Sequence, residues 1–241
     1  MVVLWKGIAA AAAAGLMLSG VAAGAAENEP PNQTLLFFAG SDFWKDGDFL
    51  HGGLLWSPAG IDNDGFTLKM LVSGGRYRYT SGSLNAEVDG TMVSGAALPG
   101  WRFKRGDLTV TFYGGPVVQD FRLRPNDPGS RLDGFYLGAA FATEVWYQPT
   151  AQTMASLSGT ITSIGPTGVL RLAVGFKLFE PVFIGPETQQ FWCGDFEEVQ
   201  FGVHFTGLHM SGFEWSAGSG WAITSDHRSG PYLRIGVNTR Y

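Results

Sequence analysis

The sequence predicts an all-β protein, a transmembrane antiparallel up-and-down β-barrel of about twelve strands. Three observations predict it: an N-terminal export signal, mature segments of about ten residues that alternate in polarity with period two, and a final alternating segment ending on Tyr241. Beyond Glu27 no apolar run reaches eighteen residues, so a transmembrane helix is not available. A strand can cross hydrocarbon only if every backbone N–H and C=O is paired, which forces the sheet to close on itself.

The export signal comes first in the chain. Lys6 precedes an apolar run from Gly7 to Val21 and then a string of small residues, the layout of a secretory signal peptide over 1–26 with a barrel domain over 27–241. Gly24 and Ala26 suit cleavage before Glu27, and Ala23 and Ala25 suit a cut one residue earlier. The one cysteine, Cys193, lies far from this region, which excludes a lipid-anchored N-terminus and an internal disulfide framework. Without Lys6 the chain carries 15 basic and 21 acidic residues. That mildly acidic balance argues against a nucleic-acid partner.

The alternation is clearest at Leu170, Leu172, Val174, Phe176 and Leu178, whose intervening residues are Arg171, Ala173, Gly175, Lys177 and Phe179. Val199, Phe201, Val203 and Phe205 alternate with Gln200, Gly202, His204 and Thr206, and Phe213, Trp215 and Ala217 with Glu214, Ser216 and Gly218. Phe66 to Val72 and Leu108 to Phe112 repeat the pattern more weakly. A soluble sandwich also alternates, but here the second face carries many glycines and isolated charges, as the lumen side of a membrane barrel does. Strand starts fall near Leu35, Phe49, Phe66, Ala86, Leu108, Leu132, Thr153, Val169, Val182, Val199, Phe213 and Pro231. Ten or fourteen strands also fit. Turn-forming residues at 46–48, 62–65, 81–83, 105–107, 125–130 and 225–230 separate them. An even count places both ends on the periplasmic side.

Trp44, Trp56, Trp101, Tyr113, Trp146, Tyr147, Trp192 and Trp221 lie near the expected strand ends and suit interfacial girdles. Any that point inward could instead stack on sugars. The charges expected to face the lumen are Lys69, Arg76, Arg78, Glu87, Asp89, Glu144, Arg171, Lys177, Glu187, Glu214, Arg234 and Arg240. Enclosed charges must be paired or hydrated. Twelve strands lie between filled eight-stranded barrels and open sixteen-stranded ones, so strand number leaves both a filled lumen and a hydrated path open.

Catalytic patterns are sparse. His51 and His204 are expected inside, His209 near a turn and His227 in a loop, and none has a serine at a spacing typical of barrel lipid hydrolases. No pair of His, Cys, Asp or Glu has a recognised metal-ligand spacing. The glycine pairs 52–53, 74–75 and 114–115 precede no helix, so they relieve curvature in the wall rather than cradle phosphate. The expectation is no enzyme, cofactor or metal.

Several stretches, among them FFAGSDFWKDGDFLHGGLLWSPAGIDNDGFTLKMLVSGGRYRY, LPGWRFKRGDLTV, VVQDFRLRPNDPGSRLDG and TGLHMSGFEWSAGSGWAITSDHRSGPYLRIGV, resemble in order the BcsS family of bacterial cellulose biosynthesis proteins. The resemblance runs from about Leu36 to Arg240, with the segment around Cys193 and Gly194 as a departure. The final strand also resembles the C-terminal signal of outer-membrane proteins. The resemblance implies an outer-membrane component whose partners are membrane lipid, a glucan chain and a cellulose synthase complex; it carries over no catalytic residues. A small-solute porin and a barrel lipid hydrolase are the alternatives.

Overall fold

The computed structural model describes residues 33–241 apart from Pro166 and Asp195; the expected signal peptide lies outside the described residues. Twelve strands follow one another in order: β1 (Leu35–Trp44), β2 (Gly47–Trp56), β3 (Gly65–Ser81), β4 (Ala86–Arg105), β5 (Leu108–Arg124), β6 (Gly134–Thr150), β7 (Thr153–Thr162), β8 (Thr167–Phe179), β9 (Val182–Cys193), β10 (Phe196–Met210), β11 (Phe213–Thr224) and β12 (Ser229–Arg240). Each pairs antiparallel with its neighbours in sequence, and β1 pairs with β12, so the sheet is closed. Thr34 N–H donates to the Tyr241 carbonyl at 2.8 Å and Tyr241 N–H to the Leu35 carbonyl at 2.8 Å, which completes the seam. Among the described residues there is no helix.

Period-two geometry sends alternate side chains to opposite faces of the wall. The outer face carries Leu50, Val72, Leu137, Phe176, Phe201, Trp221 and Leu233, all exposed. This apolar belt would be unstable in water over such an area and matches hydrocarbon instead.

All twelve expected strand starts lie within three residues of the observed ones. Leu132 itself precedes β6: it lies in the loop between β5 and β6, is 4% exposed, and packs into the barrel mouth. Its hydrophobicity reports burial at the mouth rather than a strand.

A crossing strand needs about 9–11 residues, whereas β3, β4 and β5 have 17, 20 and 17. Their surplus stands beyond the belt at the end opposite the termini. That end is called the loop end below, and the other the terminal end.

Candidate functional site: a tiered barrel interior

The interior is filled in tiers. The tier nearest the loop end is aromatic and crosses the lumen twice. Trp44 of β1 stacks on Phe49 of β2 at 5.8 Å, and Phe49 meets Phe191 of β9 at 5.5 Å. Phe191 meets Phe196 of β10 at 6.1 Å, and Phe196 meets Tyr77 of β3 at 5.6 Å. Strands β2 and β9, and β10 and β3, are not neighbours in the sheet, so these contacts span the interior. Leu132 and Ile164 from two loops complete the tier, together with Phe121 and buried Cys193, whose Sγ lies 3.9 Å from Tyr77 Oη. Cys193 is thus a packing residue in a tier that narrows the loop-end half.

Below this tier lies a chamber of about 390 Å³, lined by apolar and polar side chains of many strands. One flank is a charged network centred on Glu187, whose side chain is fully buried. It accepts from Arg171 Nη2 at 2.6 Å, Arg234 Nη1 at 3.0 Å and Tyr232 Oη at 2.9 Å. Arg234 also donates to Asp42 at 2.7 Å and to Gln200 at 2.9 Å. The network joins β1, β8, β9, β10 and β12, and its charges satisfy the requirement that enclosed ions be paired and hydrogen-bonded. Space for it comes from glycines on the inner face: a Cβ at Gly218 would collide with Glu187, and one at Gly202 with Tyr232.

A second bridge separates the chamber from the terminal end. Lys69 of β3 donates to Glu144 of β6 at 2.5 Å, and Tyr113 Oη donates to the other Glu144 oxygen at 3.1 Å. Lys69 Nζ also lies 5.3 Å from the Phe38 ring centroid and 5.5 Å from that of Tyr113. Both cavities touch Phe38, Lys69 and Glu144.

Past this bridge a vestibule of about 670 Å³ opens toward the terminal end. Arg102, which is buried, donates to Thr111 Oγ1 at 3.2 Å and to the Ile61 carbonyl, tying the 57–64 loop to the vestibule wall. Gly207, at φ +88°, forms a bulge that shifts the register of β10 between Thr206 and Leu208. The bulge turns His209 inward, opposite Glu214, with 3.9 Å between Nε2 and Oε2.

Of the charges expected inside, Lys69, Glu144, Arg171, Glu187 and Arg234 lie in these bridges, and Glu214 and Arg240 line the vestibule. Lys177 lies on the inner face near the terminal end, over the Phe183 ring at 5.4 Å and bonded to Glu180 at 2.7 Å. Arg76, Arg78, Glu87 and Asp89 do not face the lumen. They share the outer face with Val72 and Val93, and Arg76 pairs with Asp48 at 2.8 Å and Arg78 with Asp89 at 2.7 Å. Glu87 receives Arg228 at 3.2 Å. Charges are tolerated there because the long strands have left the apolar belt.

Asp42, Arg102 and Glu198 were missed as interior groups, whereas Gln200 lies inside as its alternation predicts. For Arg102 the signal was present: it stands between Trp101 and Phe103, whose outward rings send it inside. Among the expected girdle residues, Trp56, Trp101, Tyr147 and Trp221 are exposed outside, whereas Trp44, Tyr113 and Trp146 face in.

His51 stands opposite Ser73 in the sheet without a hydrogen bond between them, and His204 bonds the Val174 carbonyl at 3.1 Å. Among the described residues no group of three or more His, Cys, Asp or Glu is placed to hold a metal ion.

A closed ring of twelve antiparallel strands, apolar outside and polar or tightly packed inside, is a membrane β-barrel of the outer-membrane type. Solved structures of that type share the fold. The CymD monoaromatic hydrocarbon channel is 8% identical, with 87% of this chain and 89% of that chain covered and a TM-score of 0.54. The TodX deltaS2S3 mutant monoaromatic hydrocarbon channel is 10% identical, covering 87% and 90%, with a TM-score of 0.50. The KdgM porin is 12% identical, covering 86% and 99%, at 0.46. The chain belongs to the cellulose biosynthesis protein BcsS family, which matches residues 36–241. No curated protein matches the sequence.

Proposed function

We propose that this protein is a non-enzymatic barrel of the bacterial outer membrane that assists cellulose biosynthesis, export or surface display in concert with an inner-membrane synthase complex. Family membership across 36–241 is the observation that carries this reading. The apolar belt supplies the lipid partner, and an N-terminal signal supplies the export route. With both termini on the periplasmic side, the vestibule faces the periplasm, where a glucan leaving the synthase emerges. The ring contacts of Phe49, Phe191, Phe196 and Tyr77 across the lumen favour this reading over a standing-open porin.

Deleting the gene and measuring extracellular cellulose tests the reading. The expected result is a loss restored by the wild-type chain. Unchanged cellulose, in amount and in surface attachment, would exclude the role.

A further inference from the structure

The vestibule combines features that select a ligand class. Its volume of about 670 Å³ falls within the roughly 300–1,000 Å³ of small-ligand sites. Its lining contains four acids, Asp62, Asp107, Glu144 and Glu214, and four bases, Lys69, Arg102, Lys104 and Arg240. Several are paired with one another, as Asp62 is with Arg240 at 3.5 Å. Balanced charge of this kind offers no net attraction to a cation or an anion, but it presents donors and acceptors together, as a neutral polyhydroxyl ligand requires.

One wall is aromatic. Trp146 of β6 points inward, held edge to face against Phe183 at 6.4 Å and an interplanar angle of 80°, yet 38% of it remains exposed. The burial that inward aromatic residues achieve in the upper tier is withheld here. In the ring of strands β6 lies diametrically across from β12, so Trp146 faces a wall bearing Asn238 and Arg240, with Gln148 beside it on its own strand. An indole face accepts the apolar C–H face of a pyranose ring, while the opposite amide and guanidinium reach its hydroxyl edge. The Lys69–Glu144 bridge stands at the inner end of the vestibule, where a polymer entering end-first meets it.

We infer that the vestibule binds the end of a neutral β-1,4-linked glucan, with Trp146 as the stacking platform. The linkage rests on the proposed function; the neutral sugar and the platform rest on the cavity.

Isothermal titration of the refolded barrel, in a detergent without a sugar headgroup, tests this with cellohexaose and maltohexaose. Saturable binding that prefers cellohexaose is expected. Trp146→Ala should weaken it by about ten-fold or more, Trp146→Phe should retain part of it, and Trp221→Ala on the outer face should leave it unchanged. Heat-modifiable gel mobility verifies that each variant is folded. Absence of saturable binding, equal affinity for maltohexaose, or indifference of a folded Trp146→Ala barrel would each overturn the inference. A cellulose defect in the deletion strain alongside such a result would leave the broader role standing and remove this site from it.

Discussion

At the scale of single residues, Glu187 and the glycine that makes room for it show how the barrel accommodates charge. Its carboxylate holds two guanidiniums and a phenol in a fully buried setting, so removing the charge takes an ion partner from both Arg171 and Arg234, of which Arg234 keeps Asp42. Breaking one partner of a buried ion pair typically costs about 3–5 kcal/mol. Glu187→Gln is expected to lower stability by that order, read by urea unfolding of the barrel in lipid vesicles. Gly218→Ala places a methyl group against the same carboxylate, and overpacking of this kind costs about 1–3 kcal/mol. An unchanged unfolding midpoint for Gly218→Ala would show that the network can move aside.

Among the elements, the β5–β6 loop is tethered by a single carboxylate. Asp127 accepts from Ser83 Oγ at 2.5 Å, Tyr79 Oη at 2.9 Å and Gly129 N–H at 3.0 Å, and these bonds seat the loop that delivers Leu132 to the aromatic tier. The Ser83 hydroxyl above all, with Ser81, Gly129 and Tyr79, holds the carboxyl at about 2 against the opposing pull of desolvation. In an unfolded chain aspartate titrates near 3.9. A depressed carboxyl stabilises fully above that value and loses the contribution as pH falls through about 2. Protection of 125–133 from hydrogen exchange should therefore be steady above about pH 4 and decline between there and about pH 2. Asp127→Asn should show weakened protection at neutral pH, and an unaltered profile in this variant would refute the tether. The neighbouring loop end is clamped differently: Arg228 bonds Asp226, Asp46 and Glu87, linking three hairpins. Although desolvation pushes the Asp226 carboxyl upward, the Arg228 guanidinium and Thr224 hydroxyl hold it well below the usual range.

For the whole molecule, the tiers decide whether solutes pass. Ring contacts that span the lumen oppose ion passage, since a hydrated ion would shed part of its shell against Phe49, Phe191, Phe196 and Tyr77. The wild-type barrel in a planar bilayer is expected to show no steady conductance. A Tyr77→Ala, Phe196→Ala double variant should conduct, because truncating both rings joins the chamber to the loop end. Porin-sized steady conductance in the wild type would contradict this role of the tier.

Alternation carried most of the wall in advance. The face of Leu170 to Leu178, the inward Arg171 and Lys177, and ten or more strand starts follow from period two alone, because a strand has only two faces and hydrocarbon tolerates one kind of residue. Charge, not alternation, misplaced Arg76 and Arg78. Their parity with Met70 and Val72 puts them outside, and charge suggested otherwise because strand length beyond the bilayer is not written in local pattern. The narrowing of the lumen was equally illegible. Phe49 and Phe191 stand far apart in the chain, and only the curvature and register of twelve paired strands bring them within ring contact. Local periodicity is a one-dimensional property and was enough for the fold; the bridges, the aromatic tier and the exposed Trp146 depend on contacts across a three-dimensional ring, and tertiary structure alone decided them.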